Sequence, residues 1–380
     1  MIDKKKIQTV MKYYGDACVE MTDTVRAWER GERPDDAFFR LRALPVRVFV
    51  EPTNRCNKRC VYCARPAMTR QPASLALDDF KRAVEGLPPG AYLQCTGNGE
   101  PLLNPETPAM IAHARAQGLL VGIICNGTRF TQKTARALIE AGPHQVQISF
   151  DAVDKAVFNA SYNSPRGGCS YESTLLKILK FIRMARQEYH ADLFISIASV
   201  LTEPVRSVRD ASRAYWEALP VDNYFEAPLL TLQTDSGLAQ AMPPREETWK
   251  LCSNPWKAVK VNADGTVNPC IHDFSSKYVI GTIKEQSLGA IMNSEKAIAL
   301  RKALYYKDTA FFQKIGYTCT ECNVWREATG HDLRGYLAGS FPITYGLVIA
   351  QLVGGQPVTA EKMDNLHRAI AAVEGLVPEK

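Results

Sequence analysis

Three cysteines stand close together in the run Glu51-Pro-Thr-Asn-Arg-Cys56-Asn-Lys-Arg-Cys60-Val-Tyr-Cys63. Thiols spaced four and then three residues apart converge from one short loop, and soft thiolates are the natural ligands of iron-sulfur clusters. Their number matters as much as their spacing. A fourth local cysteine would close a cluster, whereas three leave one iron open to a small molecule, much as a catalytic zinc site keeps an open position. Taken alone, the loop is also compatible with a zinc ion that borrows its fourth ligand from elsewhere. A second set lies towards the C-terminus: Cys252, Cys270, Cys319 and Cys322, within Cys252-Ser-Asn-Pro-Trp256, Asp264-Gly265-Thr-Val-Asn-Pro-Cys270 and Cys319-Thr-Glu-Cys322. Four thiolates complete a cluster with no open iron, which suits electron transfer, although a structural zinc ribbon uses the same donors.

Composition agrees with metal binding. The chain of 380 residues carries 11 cysteines, unevenly clustered, and its first residues lack the long apolar core and small-residue cleavage site of a signal peptide, so none is expected. Disulfides belong to small secreted domains, so thiol ligands are the better reading, and a cytoplasmic location is expected. A net charge of +6, spread over both halves, gives no nucleic-acid footprint. No apolar stretch approaches the roughly 20 residues of a membrane span.

The elements that must position these residues follow from periodicity. Short apolar runs at 46–50, 91–95, 119–125, 146–150 and 193–200, with a weaker one near Tyr224, alternate with amphipathic stretches at 77–87, 109–116, 132–141, 171–187 and 205–219. Six strand-then-helix units predict an α/β fold with a parallel sheet, a partial (β/α)6 TIM-like barrel whose active residues sit at the C-terminal strand ends. The pattern lapses at 231–247. The expected organisation is an N-terminal helical extension (1–44), the barrel (45–230), a cysteine-bearing module (231–330) and a C-terminal helical extension (331–380). Ile7, Met11, Tyr14, Cys18, Met21, Val25 and Trp28 make one face of a helix, as do Met363, Leu366, Ile370 and Val373 of a helix capped by Thr359. Such faces pack on the main domain or form a seam with a second copy or a partner.

The first cysteine loop resembles the C-x-x-x-C-x-x-C signature of the radical S-adenosylmethionine (SAM) superfamily, and the likeness recurs at each following strand end. Thr96-Gly97-Asn98-Gly99-Glu100-Pro101 is similar to the G-x-G-E-P loop that contacts the methionine part of SAM, Asn126-Gly127 to an Asn-Gly turn, and Ser149-Phe150-Asp151 to an S-x-D pattern facing SAM. Arg166-Gly167 resembles an element whose arginine pairs with the SAM carboxylate, a task suited to a guanidinium fork. Singly, these are turn and cap residues; together, over residues 45 to 230, they are specific. The resemblance implies a 4Fe-4S cluster on Cys56, Cys60 and Cys63, SAM bound at its open iron, reductive cleavage of SAM to a 5′-deoxyadenosyl radical, and Tyr62 against the adenine. The later cysteines resemble the shortened "twitch" form of the SPASM domain, which implies a second, auxiliary 4Fe-4S cluster. The full form carries further cysteines, whereas Cys322 is the last here. That points away from sulfatase-maturing enzymes and towards the small-molecule dehydrogenase and epimerase branch.

The expected reaction is a two-electron oxidation of an alcohol or amine carbon on a small polar metabolite, a sugar or aminocyclitol derivative. An external one-electron reductant such as flavodoxin or ferredoxin is implied as partner, and neither nucleic acid nor membrane is. Glu226, near the end of the sixth strand, is the expected base. Cys125 or Cys169 would return a hydrogen atom were the reaction a redox-neutral epimerisation, while Cys18 and Cys95 read as small buried hydrophobes. A peptide-modifying maturase is the rival enzyme. An iron-sulfur electron carrier would need neither the glycine loop nor Ser149, Asp151 and Arg166.

Overall fold

Period-two alternation decides which way each strand faces. In the computed structural model, which describes residues 23–24, 26–42, 44–45, 47–162, 170–227, 229, 251–252, 254–316, 319 and 358–376, the expected runs become β1 (Arg47–Val50), β2 (Tyr92–Cys95), β3 (Leu120–Cys125), β4 (Gln145–Ser149), β5 (Phe194–Val200) and β6 (Asn223–Ala227). They pair in parallel, each with the next. Val48, Leu93, Val121, Val146 and Ile195 share one face and are wholly buried. That face meets the helices: Gly127 packs where a Cβ would strike Ile178 and Ile148.

The opposite face lines the barrel and mixes polar with aromatic residues. Phe49, Gln94, Gly122, Gln145 and Phe194 lie side by side in register. Tyr92 donates to Gln145 at 2.9 Å, Arg47 donates to Gln94, and Gly122 is glycine because any Cβ would collide with the crossing Tyr92 hydroxyl.

Between the strands run α1 (Leu77–Val84), α2 (Thr107–Ala116), α3 (Gln132–Ala141), α4 (Lys155–Ser161), α5 (Tyr171–Arg183) and α6 (Arg209–Glu217). The Thr131 capping box starts α3 and left-handed Gly142 (φ 68°) ends it.

The C-terminal module is less separate than the composition break suggests. Its first strand, β7 (Ala258–Val261), pairs in parallel with β1, and β8 (Thr266–Asn268) and β9 (Gly281–Thr282) extend the same sheet antiparallel, in the order β6-β5-β4-β3-β2-β1-β7-β8-β9. Ala-Val-Lys-Val follows no strand-helix unit, so periodicity gave it no place in the barrel.

The terminal segments pack on the chain itself. In α7 (Glu295–Tyr306), buried Arg301 donates to the carbonyls of Phe39 (2.8 Å), Pro255 (3.2 Å) and Met292 (2.7 Å), and Tyr305 meets Phe39 edge-on. Leu41 and Asn293 exchange hydrogen bonds of 2.7 and 3.0 Å. The described part of the N-terminal extension is therefore strapped to the C-terminal module. Thr359 caps α8 (Ala360–Glu374), which lies on α5 with Leu366, Ile370 and Val373 buried and a Lys180–Glu374 ion pair of 2.7 Å. The apolar face considered for a partner is covered from within. The stripe from Ile7 to Met21 lies outside the described residues. Among the described residues no helix is long and apolar enough to cross a membrane.

Candidate active site

The cysteine loop leaves the end of β1 and is pinned before it reaches its first thiol. Thr53 donates to the Ala73 carbonyl (2.7 Å), and the Asn54 side chain donates to the Gln71 carbonyl (2.8 Å) and accepts from the Ala73 amide (2.8 Å). Farther on, Cys60 bridges Tyr162 as an isolated antiparallel pair, with Val61 N–H on the Ser161 carbonyl at 3.0 Å. Between them Lys58 is buried with its ammonium 3.8 Å from the Tyr162 ring centroid and 5.0 Å from that of Phe158.

Cys56, Cys60 and Cys63 are half-buried and reduced. Their sulfurs attract donors: the Lys58 amide lies 3.5 Å from Cys56, the Arg65 amide 3.4 Å from Cys63, and the Asn126 side chain 4.0 Å from Cys56. Burial pushes the thiols of Cys56 and Cys60 up, the neighbouring Cys63 adding to it at Cys60. Three thiols on one short loop, each able to become a thiolate on metal binding and two already facing N–H donors, suit an iron-sulfur cluster. Among the described residues no three His, Cys, Asp or Glu side chains form a set for a single metal ion.

The glycine loop after β2 rests on this loop. A Cβ on Gly97 would stand 2.4 Å from Glu51 Cγ, and one on Gly99 would stand 2.1 Å from the Thr53 carbonyl oxygen. Their glycine identity is thus demanded by protein neighbours, whatever the loop binds. Glu51 is a hub that the sequence reading missed. Its carboxylate accepts from Arg70 twice (2.6 and 2.9 Å), from the Asn98 amide (2.8 Å) and from the Ala263 amide (3.2 Å), with Lys260 of β7 at 3.7 Å. Burial would raise its pKa, but Lys260 and Arg70 outweigh that and hold it at about 2. A Glu in the Glu51-Pro-Thr-Asn run was visible; its partners from the far end of the chain were not.

Glu100 joins strand ends. It accepts from the amides of Leu102 (3.1 Å) and Asn126 (2.7 Å), and burial, offset in part by those amides, pushes it up to about 7. Asn126 reaches onward to Asn57 at 3.0 Å. Tyr62 and Asp151, both expected at SAM, meet each other: the Tyr62 hydroxyl donates to Asp151 at 2.9 Å, while Asp151 also accepts from the Val200 amide at 3.0 Å. Burial raises the Asp151 pKa against those bonds. Ser149 ends β4, half-buried, in register with Ala198. Arg166 and Cys169 lie outside the described residues.

Two expected catalytic residues face the wrong way. Glu226 pairs with Ser199 in register, two residues along from Tyr224, which pairs with Ile197, and this puts it on the helix-facing side of β6. There it is ion-paired with Arg209 (3.1 Å) and Arg213 (3.0 Å) of α6. A carboxylate held by two guanidiniums outside the barrel cannot serve as the base within it. Cys125 likewise shares the face of Ile148, is buried in the apolar core, and has its pKa pushed well up by burial. It acts as a small hydrophobe, as Cys95 does.

In the C-terminal module Cys252, Cys270 and Cys319 are half-buried and reduced, and the His272 amide lies 3.4 Å from the Cys270 sulfur. Burial lowers His272 itself to about 4. Cys322 lies outside the described residues. The loop after Cys270 touches the first site, since Arg70 donates to the Phe274 carbonyl at 2.8 Å and the Thr69 amide to Ser275 at 3.3 Å.

Residues 50–205 match the family model of the radical SAM superfamily, and residues 252–323 match that of an iron-sulfur cluster-binding domain. The chain therefore carries a radical SAM domain followed by a C-terminal SPASM domain. The family implies a 4Fe-4S cluster and SAM in the first domain and auxiliary iron-sulfur clusters in the second. Similar proteins narrow the setting. PqqA peptide cyclase of Rhodopseudomonas palustris is 31% identical over 30% of this chain and 31% of its own length. The tungsten-containing aldehyde ferredoxin oxidoreductase cofactor-modifying protein of Pyrococcus furiosus is 24% identical over 73% of this chain and 87% of its own. The chain spans about a third of the length of the peptide cyclases it matches. Among solved structures, anSMEcpe with bound AdoMet superposes with a TM-score of 0.53 at 14% identity, covering 85% of this chain and 98% of that one. SuiB of Streptococcus suis bound to the precursor peptide SuiA gives 0.52 at 12% identity, covering 69% and 67%. Both likenesses are of fold.

Proposed function

We propose that the chain binds SAM at the C-terminal end of the barrel and oxidises a small polar substrate by two electrons. Cys56, Cys60 and Cys63 would hold the first cluster, which when bound supplies the electron for reductive SAM cleavage. Asn98 and Glu100 of the glycine loop, Asn126, Ser149, Asp151 and Arg166 are assigned to orienting SAM, and Tyr62 to fixing Asp151 from behind. Cys252, Cys270, Cys319 and Cys322 are assigned to the auxiliary cluster. The polar part of the inner face, with Gln147 and Ser149 on β4 and Ser196 on β5, suits a hydroxylated or amino-bearing substrate.

The observation that carries the oxidative reading is the pairing of β1 with β7. It seats the strand that leads into the first cysteine loop beside β7, whose hairpin partner β8 leads into Cys270, and Arg70 links the first loop to the segment after Cys270. An electron leaving the substrate then has an acceptor nearby. A redox-neutral epimerisation needs a thiol in the pocket; of the two expected for it, Cys125 points out of the barrel and Cys169 lies outside the described residues.

Anaerobic incubation with site-deuterated sugars and aminocyclitols tests this. Deuterium in 5′-deoxyadenosine and a product lighter by two hydrogens are expected. A product of unchanged mass that takes up solvent deuterium overturns the oxidation. The relatives named for peptide substrates support a second reading, peptide modification, and a panel in which peptides alone give deuterium transfer would favour it.

A further inference from the structure

Taking an ammonium out of water is costly unless its charge and protons find partners. Lys260 sits in mid-strand with its side chain wholly buried, on the inner face in register with Phe49. It lies 3.7 Å from Glu51, beyond hydrogen-bond reach, whereas Arg70 occupies both carboxylate oxygens. Its hydrogen bond goes instead to the side-chain oxygen of Asn98, at 3.0 Å.

Asn98 is the centre of the glycine loop, and it is gripped twice. Its backbone N–H is on Glu51, its side chain on Lys260, and the glycines on either side are seated against Glu51 and the carbonyls of Thr53 and Arg55. The loop assigned to SAM is thus fastened to a strand that belongs to the other domain.

We propose that Lys260 is a positioning residue for SAM: acting through Asn98, the C-terminal module holds the glycine loop in its binding conformation. This rests on the reading of that loop as a SAM contact. Occupancy of the loop and integrity of the module are then coupled, with Lys260 as the link.

The test uses the full chain, anaerobically reconstituted, and reads SAM affinity by isothermal titration together with the SAM-induced change in the reduced cluster's EPR signal. Lys260→Met leaves the Glu51–Arg70 pair neutral and complete. It is expected to bind SAM about ten-fold more weakly, the scale of a hydrogen bond to a charged group, with iron per chain and the SAM-free spectrum unchanged. Asn98→Ala should lose a similar factor, and the double variant no more than Asn98→Ala alone, because both remove one interaction. If Asn98→Ala weakens SAM binding and Lys260→Met does not, the inference falls and the loop assignment stands. If both bind SAM normally, the loop assignment falls with it, and a wild-type chain that binds no SAM removes the proposed function itself. Should Lys260→Met lose iron, Asn98→Asp decides: it keeps the acceptor, so near-native affinity beside a weakened Asn98→Ala supports the link, and equal losses overturn it.

Discussion

Glu51 and Glu100 follow neighbouring strands and are equally hidden, at 0% and 2% exposure, yet one is held near a pKa of 2 and the other near 7. Depth does not separate them. Glu51 is surrounded by Arg70 and Lys260, which favour its charged form, whereas Glu100 faces backbone amides that offset only part of the cost of burial. One region is an ionic joint between domains, and the other is a neutral-leaning tie between strand ends.

The largest expected effect breaks the ionic joint. Glu51→Gln strands two buried cations and should destabilise the chain by about 3–5 kcal/mol in anaerobic denaturant unfolding. Its pH signature has a definite sign. A pKa depressed from 4.5 to about 2 gives stability that is present above 4.5 and lost as pH falls towards 2; the variant should lack that loss.

Gly97→Ala sharpens the comparison at second order. Its Cβ would press on Glu51 at 2.4 Å, which should cost about 1–3 kcal/mol as overpacking. In a Glu51→Ala background the same change should cost measurably less, since the Cγ and Oε1 it strikes are gone and only the Cβ contact at 2.7 Å remains.

Glu100→Gln is expected to matter least, about 1 kcal/mol at pH 5 for one poorly satisfied amide. Here the folded pKa is raised, so the native chain loses stability as pH climbs from 4.5 through about 7. The deficit of the variant should therefore shrink by pH 8. A wild-type stability that is flat between pH 5 and 8, after allowance for other groups in the variant, would erase the contrast.

What could be read in the sequence was what is local. Cys56, Cys60 and Cys63 declare themselves by spacing, and the motifs at 96–101, 126–127 and 149–151 by their place after apolar runs. The Thr359 cap and the stripe of Leu366, Ile370 and Val373 announced a helix, though not that α5 would cover it. What could not be read was phase. In Leu-Val-Gly-Ile-Ile-Cys125 both faces are apolar, so nothing says which way the thiol turns, and Glu226 was assigned inward when its strand turns it towards Arg209 and Arg213. Distance hid the rest: Glu51 and Ala263, hydrogen-bonded at the joint, are 212 residues apart.

The pairing of β1 with both β2 and β7 also bears on how the chain is made. On the ribosome β1 emerges early and gains one neighbour within a few tens of residues, but its other edge must wait for β7. At typical elongation rates of about 5–20 residues per second, that interval is roughly 10–40 s. Throughout it, Arg47 to Val50 presents an unpaired parallel edge, a template for wrong pairing, just ahead of the loop that carries Cys56, Cys60 and Cys63. Nascent chains should accordingly be most in need of chaperone shielding after the barrel strands have formed and before β7 arrives.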